Sequence, residues 1–146
     1  MYKKILVALE NGPADKSLLP HVTELAKKFG AELLLLHVAD GWAARCFDQL
    51  TLAESEEMKS DRAYLENAAG QLRQAGIAAS TQLAHGNPPA EIQRVAEAEQ
   101  CDLIAMGSHG HRLLGDIFHG STITQVRHKT LIPILLVRVQ KKQEPT

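Results

Sequence analysis

Four of the ten glycines, Gly107, Gly110, Gly115 and Gly120, fall within fourteen residues, and Ser121 and Thr122 follow directly. Glycine lets a backbone come close to a bulky anion, and the first amides of a helix lack intrahelical partners. The stretch therefore suits phosphate oxygens. Neither of the best-known phosphate loops fits it. Gly110 and Gly115 have the leading spacing of a P-loop, but Asp116-Ile117 stands where Lys-Ser/Thr is required. Gly107-Ser108-His109-Gly110 has two residues between its glycines, so Gly-x-Gly-x-x-Gly is absent as well. What remains is Gly107-x2-Gly110-x9-Gly120-Ser121, long for a strand-to-helix connection of about 2–6 residues.

Three of the seven histidines, His109, His111 and His119, crowd into the same stretch and raise the question of a metal. They lack a neighbouring cysteine or paired carboxylates, and imidazole donates to phosphate without a metal, so no transition-metal site is expected. No Ser-His-Asp or Cys-His arrangement can be assembled. Asp116, Glu10 and His119 are the groups that could activate water, which leaves slow turnover of a bound nucleotide as the enzymatic alternative. His21, His37, His85 and His128 read as surface or hydrogen-bonded residues with no chemical role, Trp42 as packing and Cys46 as incidental.

The elements that must position this stretch follow from hydrophobic patterning. Five apolar runs, Ile5 to Leu9, Leu33 to Val38, Ile77 to Leu83, Leu103 to Met106 and Ile132 to Val137, read as strands. Leu33-Leu34-Leu35-Leu36 is apolar without alternation, so both faces must be covered, as in a parallel sheet between helices. Ile77 to Leu83 is more mixed and fits an edge. Helical periodicity places Leu18, Val22, Leu25 and Phe29 on one face of a first helix ended by Gly30. A second carries Leu65, Ala68, Ala69 and Leu72 and stops before Gly76; a third opens at Asn87-Pro88-Pro89 and carries Ile92, Val95 and Ala96. A short fourth follows Gly120-Ser121 with Ile123 and Val126. Alternating strands and helices give an open, doubly wound α/β sheet. Ala39 to Glu57 reads as a variable lobe, and residues 141–146 as a polar tail to a single domain of residues 1–140.

The chain has 146 residues, 16 Lys+Arg against 17 Asp+Glu, and 4% aromatics. That balance lacks the basic footprint and stacking rings of a nucleic-acid binder. Cys46 and Cys101 are too few and too far apart for a disulfide scaffold or a zinc site, and no run is long enough to span a bilayer or serve as a signal core. A cytoplasmic protein with no nucleic-acid or membrane partner is expected.

The glycine spacing, flanked by Asp102-Leu103-Ile104-Ala105-Met106 and Pro133-Ile134-Leu135-Leu136-Val137-Arg138, resembles the ATP-binding branch of the universal stress protein family. Lys4-Ile5-Leu6-Val7-Ala8, His37-Val38 and Gly86-Asn87-Pro88-Pro89-Ala90-Glu91-Ile92 extend the resemblance over nearly the whole chain. It implies an adenine nucleotide alpha hydrolase-like sheet of five parallel strands in the order 3-2-1-4-5. Nucleotide would lie at the carboxyl ends of strands one and four, where a crevice is also expected on geometric grounds. Carried over by position, Ala8, Leu9, Glu10 and Val38 would border the adenosine and Met106 would close the adenine pocket. Gly107, His109 and Gly110 would follow the ribose and phosphates, and Gly120, Ser121 and Thr122 would face the phosphate chain. The resemblance implies ATP, or AMP or ADP, with Mg²⁺ arriving on the nucleotide. It also implies a regulatory homodimer joined through the last strand, with a further protein partner. Glu10 departs from the family's usual aspartate, and Asn11-Gly12-Pro13 from the usual Gly-Ser. A nucleotidyl-transferring enzyme and a nucleotide-independent interaction module are the rival readings.

Overall fold

The structure, a computed structural model, describes residues 1–39, 56–108 and 120–139. The elements in chain order are β1 (Lys4–Ala8), α1 (Asp15–Phe29), β2 (Glu32–Ala39), α2 (Glu56–Gln74), β3 (Ala79–His85), α3 (Pro88–Ala98), β4 (Leu103–Ser108), α4 (Gly120–Lys129) and β5 (Ile134–Arg138). The strands form one parallel sheet in the order β3-β2-β1-β4-β5, as the resemblance implies. Because a parallel sheet forces crossovers, helices cover both faces. Leu18, Val22 and Ala26 of α1 and Leu65, Ala69 and Leu72 of α2 pack on one face with Ile5, Val7, Leu33 and Leu35. Ile92, Val95 and Ala96 of α3 and Val126 of α4 pack on the other with Leu6, Leu34, Leu36 and Ile104. Each fully buried leucine contributes roughly 1.5–3 kcal/mol, so the uninterrupted Leu33–Leu36 run anchors both layers.

Local chemistry ends the elements where the residue types predict. Gly30 takes a left-handed φ of 63° and returns its amide to the Ala26 carbonyl. Asn87 caps α3, its side chain accepting from the Ala90 amide at 3.1 Å, with the prolines in the first turn where no amide is missed. At the amino edge Asp102 accepts from the Lys3 and Lys4 amides at 2.8 and 3.2 Å, pinning the starts of β1 and β4 together.

Several boundaries differ from the sequence reading. β4 runs through Gly107 and Ser108, which pair with Val137 and Arg138, so the first glycine of the rich stretch is a strand residue. β3 starts two residues later than expected, because Ile77 donates to the Leu72 carbonyl and closes the turn at Gly76 (φ 84°) that ends α2. β5 starts after Pro133, which has no amide for the ladder but whose carbonyl accepts from Ile104 at 3.0 Å. α1 buries Ala26 where Phe29 was expected; Phe29 is 40% exposed and meets Tyr2 edge-on, because the helix end outruns β1. The expected lobe is narrower: Ala39 ends β2 and Glu56 opens α2, while Gly41, Trp42 and Cys46 lie outside the described residues. No helix among the described residues is long and apolar enough to cross a membrane.

Candidate functional site

The switch point of this sheet lies between β1 and β4. They are neighbours in register (Ala8 opposite Met106), yet α1 leaves β1 toward one face and the connection after β4 leads to α4 on the other. A helix joining two parallel strands runs back against them, so α1 and α4 both begin at the carboxyl edge and flank the crevice there.

The floor is apolar. Ala8, Val38 and Met106 are each fully buried and belong to the layer beneath α3 and α4, while Leu9 is fully buried on the opposite face. Gly107 is buried in β4, and a Cβ there would stand 2.9 Å from the Ala14 Cβ. Its lack of a side chain is thus required by the approach of α1 to β4. Gly120 and Ser121 are the first residues of α4, and Thr122 in the same turn is buried. His109 and Gly110, together with His111, Gly115, Asp116 and His119, lie outside the described residues.

A polar lip closes the β1 side. The Leu9 amide extends the ladder to the Leu36 carbonyl at 2.8 Å, but its own carbonyl accepts from His37 Nδ1 at 2.8 Å. Pairing with β2 ends there and the chain turns through Asn11, which has φ 60°. Asparagine tolerates this left-handed conformation better than most residues. Asp15, in the first turn of α1, accepts from the Glu10 amide (3.0 Å), the Asn11 amide (2.9 Å) and the Tyr64 hydroxyl (2.6 Å). Asp61 of α2 accepts from Asn11 Nδ2 at 3.0 Å and lies 3.3 Å from His37 Nε2. Burial and the hydrogen bond to Asp15 push the Tyr64 phenol above its ordinary range, since ionising it would set two negative charges together.

The two helix starts are therefore unlike. The first amides of α1 bond to carbonyls of Gly12, Pro13 and Ala14, and Asp15 brings negative charge to that end. α4 opens with Gly120-Ser121-Thr122 and carries no acidic residue in its first turn. Three buried carboxylates, Glu10, Asp15 and Asp61, thus mark the β1 side alone among the described residues. A separate cavity of about 580 Å³ opens between α1 and α2, lined by Pro13, Lys16, Leu19 and Tyr64. It lies on the face away from Ala8, Val38 and Met106.

Asp15, Asp61 and Tyr64, which build this lip, are not among the residues the sequence singles out, and Asn11 is singled out only as a departure from the family pattern. His37, read from the sequence as a surface or hydrogen-bonded residue, is buried and hydrogen-bonded. A signal existed: Asp61 occupies the stripe of Leu65, Ala68 and Leu72 one turn earlier, and His37 follows Leu33 and Leu35 on the inward face of β2. A charged group on an apolar stripe needs a partner.

The profile of the universal stress protein family matches residues 1–138. Universal stress protein MJ0577 of Methanocaldococcus jannaschii is 30% identical over 155 residues, covering 94% of this chain and 96% of its own. YxiE of Bacillus subtilis, another universal stress protein, is 29% identical over 148 residues, covering 94% and 100%. The solved structure of MJ0577 superposes with a TM-score of 0.76 at 30% identity over 97% of this chain and 99% of that one. The Archaeoglobus fulgidus universal stress protein in complex with dAMP has the same fold, with a TM-score of 0.69 at 20% identity over 93% and 98%.

Proposed function

The chain belongs to the universal stress protein family, and from that premise we propose that it binds ATP in the crevice between β1 and β4 and acts as a nucleotide-sensing regulatory dimer. The observation that carries this is the inequality of the two helix starts. At β1 the amides are consumed by Asp15 and by the turn, and the charge is negative. That end suits the uncharged nucleoside, against Ala8, Leu9, Glu10, Val38 and Met106. At α4, amides of Gly120, Ser121 and Thr122 suit the phosphates, with Gly107, His109 and Gly110 along the path between. The dAMP complex of the Archaeoglobus relative supports an adenine nucleotide as the ligand class. Mg²⁺ would arrive on the triphosphate and add positive charge there.

Dimerisation would use β5, an edge strand on which Leu136 is 46% exposed and which follows a fully exposed Leu131. An apolar edge of this kind is normally paired. The reading places the protein in the cytoplasm. Calorimetric titration with ATP and with AMP tests the site: saturating nucleotide at a hundredfold excess over Kd should stabilise the fold by about 2.7 kcal/mol. Gly120→Val should abolish the heat. Neither heat nor thermal stabilisation at millimolar nucleotide would remove the proposal, and sedimentation as a monomer at micromolar concentration would remove the dimer.

A further inference from the structure

The hydrogen bonds around His37 close a ring. Nδ1 is 2.8 Å from the Leu9 carbonyl oxygen and Nε2 is 3.3 Å from Asp61 Oδ2. Asp61 Oδ1 accepts from Asn11 Nδ2 at 3.0 Å, and the chain leads from Asn11 back to Leu9. Both ring nitrogens therefore face oxygens, a carbonyl and a carboxylate, that only accept. A neutral imidazole has one donor and one acceptor nitrogen, so one contact would oppose two lone pairs; the imidazolium donates to both.

The surroundings favour the same charge. The titratable side chains that hydrogen bonds bring to this corner are Asp15 of α1 and Asp61 and Tyr64 of α2, and His85 of β3, opposite Ala39, lies on the same sheet face as His37. β3 sets Leu83 directly opposite His37. His85 is exposed whereas Asp15 and Asp61 are buried, and a buried carboxylate is costly unless a cation or donors meet it.

Resting on the nucleotide reading above, we propose that the His37 imidazolium and the Asp61 carboxylate are positioning residues of that site. By holding the Leu9 carbonyl and the Asn11 side chain they fix the lip against which the nucleoside sits. Loss of the ring proton at raised pH releases the lip and weakens nucleotide binding. Neither residue need touch the nucleotide.

Two measurements test this on the full chain. Nitrogen-15 spectra of the histidine rings, taken without nucleotide and assigned by the signal lost in His37→Gln, should show two protonated nitrogens on His37 at neutral pH. ATP titrations across pH should then show affinity falling about five- to tenfold, the low end of site-to-site coupling, over the interval in which that ring loses a proton. Asp61→Asn preserves the shape, since its amide donates to a neutral Nε2 while its oxygen still accepts from Asn11. It should bind ATP with that pH step removed, and the comparison cancels the ionisation of ATP itself. Asp61→Ala, checked for folding by circular dichroism, should bind about tenfold more weakly.

One unprotonated ring nitrogen at neutral pH overturns the proposal. So does a pH profile shared by the wild type and Asp61→Asn, or a folded Asp61→Ala that binds ATP as well as the wild type. Two ring protons in a wild-type protein that binds no nucleotide overturn the nucleotide reading, and the positioning role with it, while the ion pair itself stands.

Discussion

Gly107 separates two explanations of a glycine in the proposed nucleotide site, because its position accounts for it without any ligand. A Cβ built there stands 2.9 Å from that of Ala14, where carbon atoms pack best about 3.5–4.0 Å apart. Both atoms are fixed to backbone, Ala14 at the start of α1 and Gly107 in β4 between β1 and β5, so neither can swing away. Gly107→Ala should therefore cost about 1–3 kcal/mol, the usual range for overpacking a close-packed interior. That corresponds to roughly 2–12 °C in Tm at this chain length. Ala14→Gly alone removes a buried methyl and adds backbone freedom, for about 1–2 kcal/mol. Made together, the two changes should cost less than their sum by about 1–3 kcal/mol, because deleting one methyl makes room for the other. Urea unfolding of the four proteins gives the cycle. Additivity within about 0.5 kcal/mol, or a Gly107→Ala as stable as the wild type, would refute the steric argument. ATP titration of the double variant adds the functional half: restored binding assigns the glycine to helix packing, and binding still absent from a restored fold assigns it to the ligand.

Two further outcomes follow from the buried polar groups. Tyr64→Phe should cost about 1–2 kcal/mol, less than a fully buried charged hydrogen bond because the ring is half-buried. The folded-state phenol is shifted upward, so its contribution is present below the ordinary tyrosine range near pH 10 and is lost above it. Absorbance titration in a Tyr2→Phe background, showing Tyr64 ionising in its ordinary range in the folded protein, would contradict this. Burial also pushes the Cys101 thiol up to about 11 from 9.0. At pH 8 its thiolate should then be about 100-fold scarcer than in the unfolded chain, and alkylation in a Cys46→Ser background slower by at least that factor. Any stability it contributes is present below pH 9 and fades towards pH 11; rapid labelling at pH 8 by a small alkylating reagent would contradict the assignment.

The charge pattern of the crevice bears on ligand orientation. Phosphates carried to the β1 lip would meet Glu10, Asp15 and Asp61, whereas α4 offers a helix start without acidic side chains in its first turn. A nucleotide laid the other way round would set like charges against one another in a site where water screens them poorly.

Much of the architecture is legible in the residues because it depends on near neighbours. Continuous apolar runs such as Leu33–Leu36 require two covered faces. Gly30, Gly76 and the Asn87-Pro88-Pro89 start mark helix ends by conformational preferences that hold in any fold. Local patterning puts Ala8, Val38 and Met106 in buried strands, while their assignment to a pocket comes from the family resemblance alone. Element ends are less legible: Pro133 and the Ile77 turn shift β5 and β3 through bonds to Ile104 and Leu72 that only pairing and packing create.

Residue patterning specifies the strand and helix alternation, the two apolar layers and the glycine-rich approach to α4. Each is written in periods of two to four residues and in the torsional limits of single residue types. Tertiary structure alone decided that Gly107 needs no side chain because of Ala14, and that His37, Asp61, Asn11, Asp15 and Tyr64 share one buried corner. Those groups come from β2, α2, the β1–α1 loop and α1, and hydrogen bonds of about 3 Å between them exist only once the sheet order and the helix approach set the distances.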